Sequence, residues 1–235
     1  MPPALTAADW MRMHVRALFT LDSAGRLLRI NEPGGGPAPR FYIGWTREEN
    51  RWWSRSDLDP AVAAELGRLC QSRSAGPEEE PAVDLLESLI ACLARYAPVM
   101  RTWAGPAFYF PSRVPDSDNA VRVTADNADV LSPWLEAWRS DARGGVPMAA
   151  VLVDGRAVSV CGSVRMTPEA HEAGVETHPG FRRQGHAAQA VTAWIRIVRE
   201  LDCHPLYSTS WDNRASRAVA QKLGLVQFGS DLHLT

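Results

Sequence analysis

A mixed α+β fold (mixed α/β), with a central mixed sheet flanked by helices, is what the sequence predicts. Three observations carry the prediction. The stretch "PMAAVLVDGRAVSVCGSVR" holds two apolar runs around Asp154-Gly155, a dipeptide that favours the tight turn of a β-hairpin. After Ala187, the residues Val191, Trp194, Ile195, Val198 and Leu201 fall on one helical face. Strand-like and helix-like segments then mix without strict strand–helix alternation, so a purely parallel sheet is not expected.

Thr6 is suited to cap a first helix, in which Trp10, Met13, Val15 and Leu18 partly follow helical spacing. "TLDSAGRLLRI" reads as strand, turn, strand. "FYIGWT" and "RWWSRS" are aromatic-rich runs around a short charged turn, a second hairpin. Helical spacing returns over 60–73 and 82–96, separated by "SRSAGPEEEP", a linker by composition. The proline-rich, polar "AGPAFYFPSRVPDSDN" places a boundary near 112–119. A smaller α+β N-terminal domain then spans 1–115, and a second domain spans 119–235. In that second domain "AVRVT" is a short strand and "ADNADVLSPWLEAWRS" a helix despite Pro133. "EAGVET" and "PLYSTSW" are strands, "DNRASRAVAQKLG" a helix ended by Gly224, and "LVQFGSDLHL" closing strand material.

Composition excludes several classes. With 235 residues, 46% of them hydrophobic, the chain can bury a sizeable core. A net charge of −2 leaves no footprint for general nucleic-acid binding. No apolar run reaches the roughly 18 residues of a membrane span, and "MPPALTAADWMRMHV" lacks the features of a secretory leader. Cys70, Cys92, Cys161 and Cys203 are scattered without metal-ligand spacing, which suggests reduced thiols, a cytoplasmic location and no metal. Lys222 is the only lysine against 24 arginines, an imbalance that genome-wide bias explains most simply.

The most informative stretch is "GVETHPGFRRQGHAAQA", residues 174–190. A strand runs into Thr177, a helix leaves from Ala187, and between them Arg182-Arg183-Gln184-Gly185-His186-Ala187 forms an R-x-x-G-x-A loop. The first amides of a helix lack internal partners and sit in positive potential, so a pyrophosphate can accept their hydrogen bonds. Gly185 lets such a ligand approach the backbone, and Arg182 or Arg183 can add a charge-assisted contact. A basic turn in which Gly185 only relieves strain fits the residues equally well. The loop is neither a Walker A loop nor a dinucleotide fingerprint.

Together with the order of elements that follows, the C-terminal half resembles the GNAT superfamily of acyl-CoA-dependent N-acetyltransferases. "GVETHPGFRRQGHA" is similar to that family's phosphate loop, and "STSWDNRASRAVAQKLGL" to its next strand and helix. The resemblance covers about 119–235 and implies a GNAT-like sheet with acetyl-CoA as co-substrate. It implies that amides from Arg183 through Gln184, Gly185, His186 and Ala187 to Ala188 hold the CoA pyrophosphate. The strand through Val175, Glu176 and Thr177 would pair with the pantetheine arm, with an amide near Val175 polarising the thioester carbonyl. Asn213 would bond the same arm, with Ser216 and Arg217 nearby. The implied activity is acetyl transfer to the primary amine of a small molecule.

Glu172 and Glu176 lie four apart on one expected strand and leave the same face. Either can act as base, and Glu176, nearest the loop, is preferred. Both can equally bind a cationic substrate or face solvent. Ala220 departs from the family: many members carry there a tyrosine that protonates the leaving thiolate. Tyr207, Ser208 or Ser216 can substitute. A catalytically inactive acyl-CoA-binding regulatory protein and a protein or peptide N-acetyltransferase therefore stay open as alternatives. A monomer or homodimer is expected, without nucleic-acid or membrane partners. The N-terminal aromatics Trp45, Trp52, Trp53, Trp103, Phe108, Tyr109 and Phe110 read as core, with an acceptor wall as the alternative.

Overall fold

The computed structural model describes residues 5–71, 80–114 and 119–235. The expected linker at 72–81 therefore falls mostly outside the described residues, as do positions 115–118 of the expected boundary. The elements begin with α1 (Ala7–Leu18), β1 (Phe19–Leu21), β2 (Leu27–Ile30), β3 (Phe41–Thr46) and β4 (Asn50–Ser54). Next come α2 (Pro60–Gln71), α3 (Val83–Ala94), β5 (Thr102–Tyr109), β6 (Ala120–Val123) and α4 (Arg139–Arg143). The remainder are β7 (Met148–Val153), β8 (Arg156–Met166), β9 (Ala170–Thr177), α5 (His186–Glu200), β10 (His204–Ser208), α6 (Arg214–Lys222) and β11 (Val226–Leu234). The chain forms two compact units, and the fold class is mixed α+β with helices flanking mixed sheet.

The first unit holds Met1–Phe108, Ser208–Arg214 and Gln227–Thr235. Thr6 caps α1 through a reciprocal bond with Asp9, a device worth about 1 kcal/mol. Its strands run in the order β4-β3-β11-β5. β3 and β11 are antiparallel, from Phe41 opposite Leu234 to Thr46 opposite Gly229. Every residue of β3 is buried. Phe41, Ile43 and Trp45 pack with Leu66 of α2 and Leu89 and Leu93 of α3, so these tryptophan-rich strands are core. Glycine at 44 and 229 lets α1 lie close to the strands, since a β-carbon on either would meet Met11 within 3 Å. One polar group is enclosed here. Asp231 Oδ2 accepts from Tyr42 Oη at 2.8 Å and lies 2.9 Å from His14 Nε2, and all three residues are fully buried.

β5 carries no local strand signal. Gly105 and Pro106 interrupt its apolar run, but the glycine is required, because a β-carbon there would fall 1.8 Å from the Thr209 carbonyl oxygen.

The second unit holds Tyr109–Tyr207 and Ala215–Val226. Its strands run β10-β9-β8-β7-β6. β6, β7, β8 and β9 are successively antiparallel, the β7–β8 hairpin turning at Asp154-Gly155 as expected. β10 alone is parallel to its neighbour β9. α5 covers β6 through β9 with its apolar face, burying Val191, Trp194, Ile195 and Val198. The Trp194 indole donates to Ser163 Oγ at 3.0 Å, and that hydroxyl also bonds His171 Nδ1 at 2.9 Å. α5 is thereby anchored on the face of β9 that carries His171.

The helix expected over 125–140 is replaced by two short 3-10 turns, Ala125–Leu131 and Glu136–Trp138, leading into α4. Pro133 is the physical reason. It lacks an amide proton, and it pushes Ser132 to an extended conformation at φ −84°, ψ 147°. Leu131 and Leu135 are still buried, so the apolar spacing that suggested a helix serves the turns instead. Among the described residues no helix is long and apolar enough to cross a membrane.

Candidate active site

The site is built where β9 ends and α5 begins, within the second unit. β9 pairs with β8 along its length, but the β9–β10 ladder covers only Ala170 to Glu172 against His204 to Leu206. Beyond Glu172 the strand continues to Thr177, and no ladder covers its second edge there among the described residues. The direction of its amides follows from the pleat. His178 donates its amide to Val158 O at 2.9 Å, toward β8. Amide direction alternates along a strand, so the amides of Val175 and Thr177 point away from β8, into the free edge. That is the edge along which an extended chain can add as a strand.

At the end of β9 the chain makes a 3-10 turn at Pro179–Phe181 and enters the loop. Arg182 is committed to the scaffold, since its Nε donates to the Thr177 carbonyl at 3.3 Å. Arg183 lies in the left-handed region at φ +64°, and Gly185 at φ +86°. For the arginine this costs about 1–2 kcal/mol, and strain of this kind gathers at ligand clamps. The Phe181 and Arg182 amides bond back to His178 and Pro179, and Gln189 opens the helical ladder by donating to Gly185 O. Between them the amides of Arg183, Gln184, Gly185, His186, Ala187 and Ala188 have no acceptor among the described residues. Successive free amides at the positive end of a 15-residue helix make an anion-binding nest.

Lys222, to which the sequence reading gave no weight, belongs to this nest. A β-carbon on Gly185 would stand 2.9 Å from its Nζ. Lys222 forms no ion pair or hydrogen bond among the described residues. His178 and His186 flank the loop, and His178 stacks on the half-exposed Trp134 at 4.6 Å between centroids. Phe181 lies between them in the same ring cluster. No group of three or more metal-binding side chains occurs among the described residues.

The two carboxylates differ sharply. Glu172 is buried, at 2% exposure, opposite Arg165 in the β8–β9 register. Glu176 is exposed and accepts the Trp138 indole N–H on Oε2 at 2.7 Å. Only Glu176 is open to an incoming substrate.

Ala220 is buried on α6, so nothing at that position can donate a proton. Two of the hydroxyls expected to substitute meet instead. Tyr207 Oη and Ser216 Oγ are 2.6 Å apart. Burial pushes the Tyr207 phenol up to about 12, against the opposing pull of the Ser216 hydrogen bond, so it stays protonated at neutral pH. Ser208 and Asn213 lie in the first unit's Ser208–Arg214 segment, where the Asn213 amide donates to Ser210 O at 3.1 Å. Arg217 is exposed on α6.

Residues 139–229 match the model of the GNAT acetyltransferase family. The resemblance drawn from the two sequence motifs thus holds for the C-terminal half of the chain. Among solved structures, the chain is similar to a putative GNAT-family acetyltransferase from Novosphingobium aromaticivorans, at 20% identity and a TM-score of 0.49. That similarity covers 58% of this chain and 65% of the other, slightly less than two thirds of its length. A GCN5-related N-acetyltransferase-like protein from Streptococcus suis is similar at 14% identity, covering 84% and 85% with a TM-score of 0.47. The aminoglycoside N-acetyltransferase AAC(6')-Iy in complex with CoA is similar at 18% identity over 46% of this chain and 92% of that one, with a TM-score of 0.36. No curated protein matches the sequence.

Proposed function

We propose that the protein is an acetyl-CoA-dependent N-acetyltransferase acting on the primary amine of a small molecule. The observation that carries this reading is the continuity of the free β9 edge with the nest of unpaired amides opening α5, inside a GNAT-type domain. The two parts fit the two parts of the co-substrate. The amides from Arg183 to Ala188, with Lys222 beside them, would hold the pyrophosphate, and the edge from Val175 to Thr177 would hold the pantetheine arm. Bound there, acetyl-CoA supplies an acetyl group activated as a thioester.

The chain's own groups account for the remaining chemistry. The Val175 amide, directed into the free edge, is placed to stabilise an oxyanion. Glu176 takes the proton of the incoming ammonium or of the attacking amine. Tyr207, protonated and bonded to Ser216, is the hydroxyl assigned to the leaving thiolate in place of the side chain absent at Ala220. Arg217, on α6 of the same unit, is assigned to the surroundings of the pantetheine arm. All four cysteines are free, in keeping with a reducing, cytoplasmic location.

Calorimetric titration with acetyl-CoA, and with CoA lacking its 3′-phosphate, tests the reading. Micromolar binding supports it, and no binding to either ligand ends it. Ala220 favours one second reading, an acyl-CoA-binding regulatory protein without catalysis. Tight binding without turnover over a broad amine panel would select it.

A further inference from the structure

The Trp138–Glu176 pair sits on a feature of the sheet that the mechanism has not used. Gly162 of β8 and Gly174 of β9 are register partners, two glycines directly opposite each other. A β-carbon on Gly162 would fall 2.9 Å from Trp138 Cζ3, and one on Gly174 would fall 2.9 Å from Cη2. The missing side chains form a slot in which the indole lies against the sheet. Residues 172, 174 and 176 share a strand face, so the slot lies immediately beside Glu176, on the face opposite the α5 anchor at His171. From the slot the indole N–H reaches Oε2 at 2.7 Å.

The rest of Glu176's surroundings leave this bond without a rival. Its register partner on β8 is the uncharged Val160. On its own strand, buried Glu172 and the Trp134-stacked His178 are the titratable groups on the same face. No ion pair reaches Glu176 among the described residues, and Oε1 has no hydrogen-bond partner among them.

We infer that Trp138 is a positioning residue: it holds Glu176 by Oε2 and turns Oε1 outward to receive the amine. This rests on the reading of Glu176 as the base. A neutral donor suits the task, because an arginine would fix the carboxylate as an ion pair and compete with a cationic amine, whereas an indole orients it and leaves its charge uncompensated.

The test compares Trp138→Phe, Gly162→Ala and Glu176→Gln with the parent protein. Phenylalanine keeps a ring in the slot and removes the N–H. Alanine at 162 displaces the indole while leaving both Trp138 and Glu176 in place. Carbon-13 NMR of the Glu176 carboxyl, recorded without CoA, reads the contact itself. Loss of the indole donor should move the Glu176 carboxyl resonance in both variants, because the group bonded to Oε2 at 2.7 Å is gone. The kcat for the amine should fall about tenfold with KM for acetyl-CoA unchanged. An unmoved Glu176 carboxyl resonance in both variants overturns the role of Trp138. A fully active Glu176→Gln variant removes the base itself, whatever the NMR shows.

Discussion

Lys222 Nζ stands 2.9 Å from the point where a β-carbon on Gly185 would lie, so the chain's single lysine covers the glycine that opens α5. An ammonium needs no planar partner and serves a phosphate as a point charge. Lys222→Met should weaken acetyl-CoA binding about tenfold, or ~1.4 kcal/mol, and should flatten its salt dependence. Calorimetry at two salt concentrations measures both; an unchanged affinity places Lys222 in solvent.

Gly185 itself is fixed by its backbone. At φ +86° any other residue is strained, while the lysine end overhead can swing aside. Gly185→Val should therefore cost about 1–2 kcal/mol of stability and abolish micromolar CoA binding by placing branched carbons in the nest. A thermal melt and a CoA titration read the two effects separately.

Tyr207→Phe removes the hydroxyl that Ser216 accompanies. If it protonates the thiolate, kcat should drop about a hundredfold, within the usual range for a lost general acid, with acetyl-CoA affinity retained. Full activity in this variant would transfer the role to water or to another hydroxyl.

The buried Asp231 gives a prediction about stability. Burial raises its carboxyl, but His14 and His233 more than offset this and hold it well below the usual carboxylate range. A depressed carboxylate contributes stability that is complete above its unfolded value, about 3.9, and is lost as pH falls toward its folded value. Asp231→Asn should cost about 3–5 kcal/mol near neutrality, because Tyr42, His14 and His233 lose the buried carboxylate they are arranged around. Denaturant melts should show a constant gap above about pH 5 and a narrowing one below about pH 4. A gap independent of pH down to acid unfolding would mean that Asp231 is not charged in the fold.

Much of the second unit was legible in the sequence because its signals are local. Asp154-Gly155 sets a hairpin, the spacing from Val191 to Leu201 marks α5, and the strand–glycine–helix order marks the nest. The signals that failed are those that depend on distant residues. Lys222 looks like any solvated helix charge until α6 lies over Gly185. Trp138 was read as part of a helix, and its partner Glu176 and the paired glycines beneath it lie on two later strands. β5 escaped notice because its Gly105 answers to the Thr209 carbonyl, a contact that no local pattern announces.

The pairing of β3 with β11 has a consequence for biogenesis. Phe41 leaves the ribosome before Leu234, with β6 through β9 made in between, yet the two are neighbours in one sheet. The first unit therefore cannot close before β11 has emerged, whereas β6 through β9 can pair as soon as they are made. In the cell β3 would then wait, its side against β11 uncovered, while the strands of the second unit form and pair.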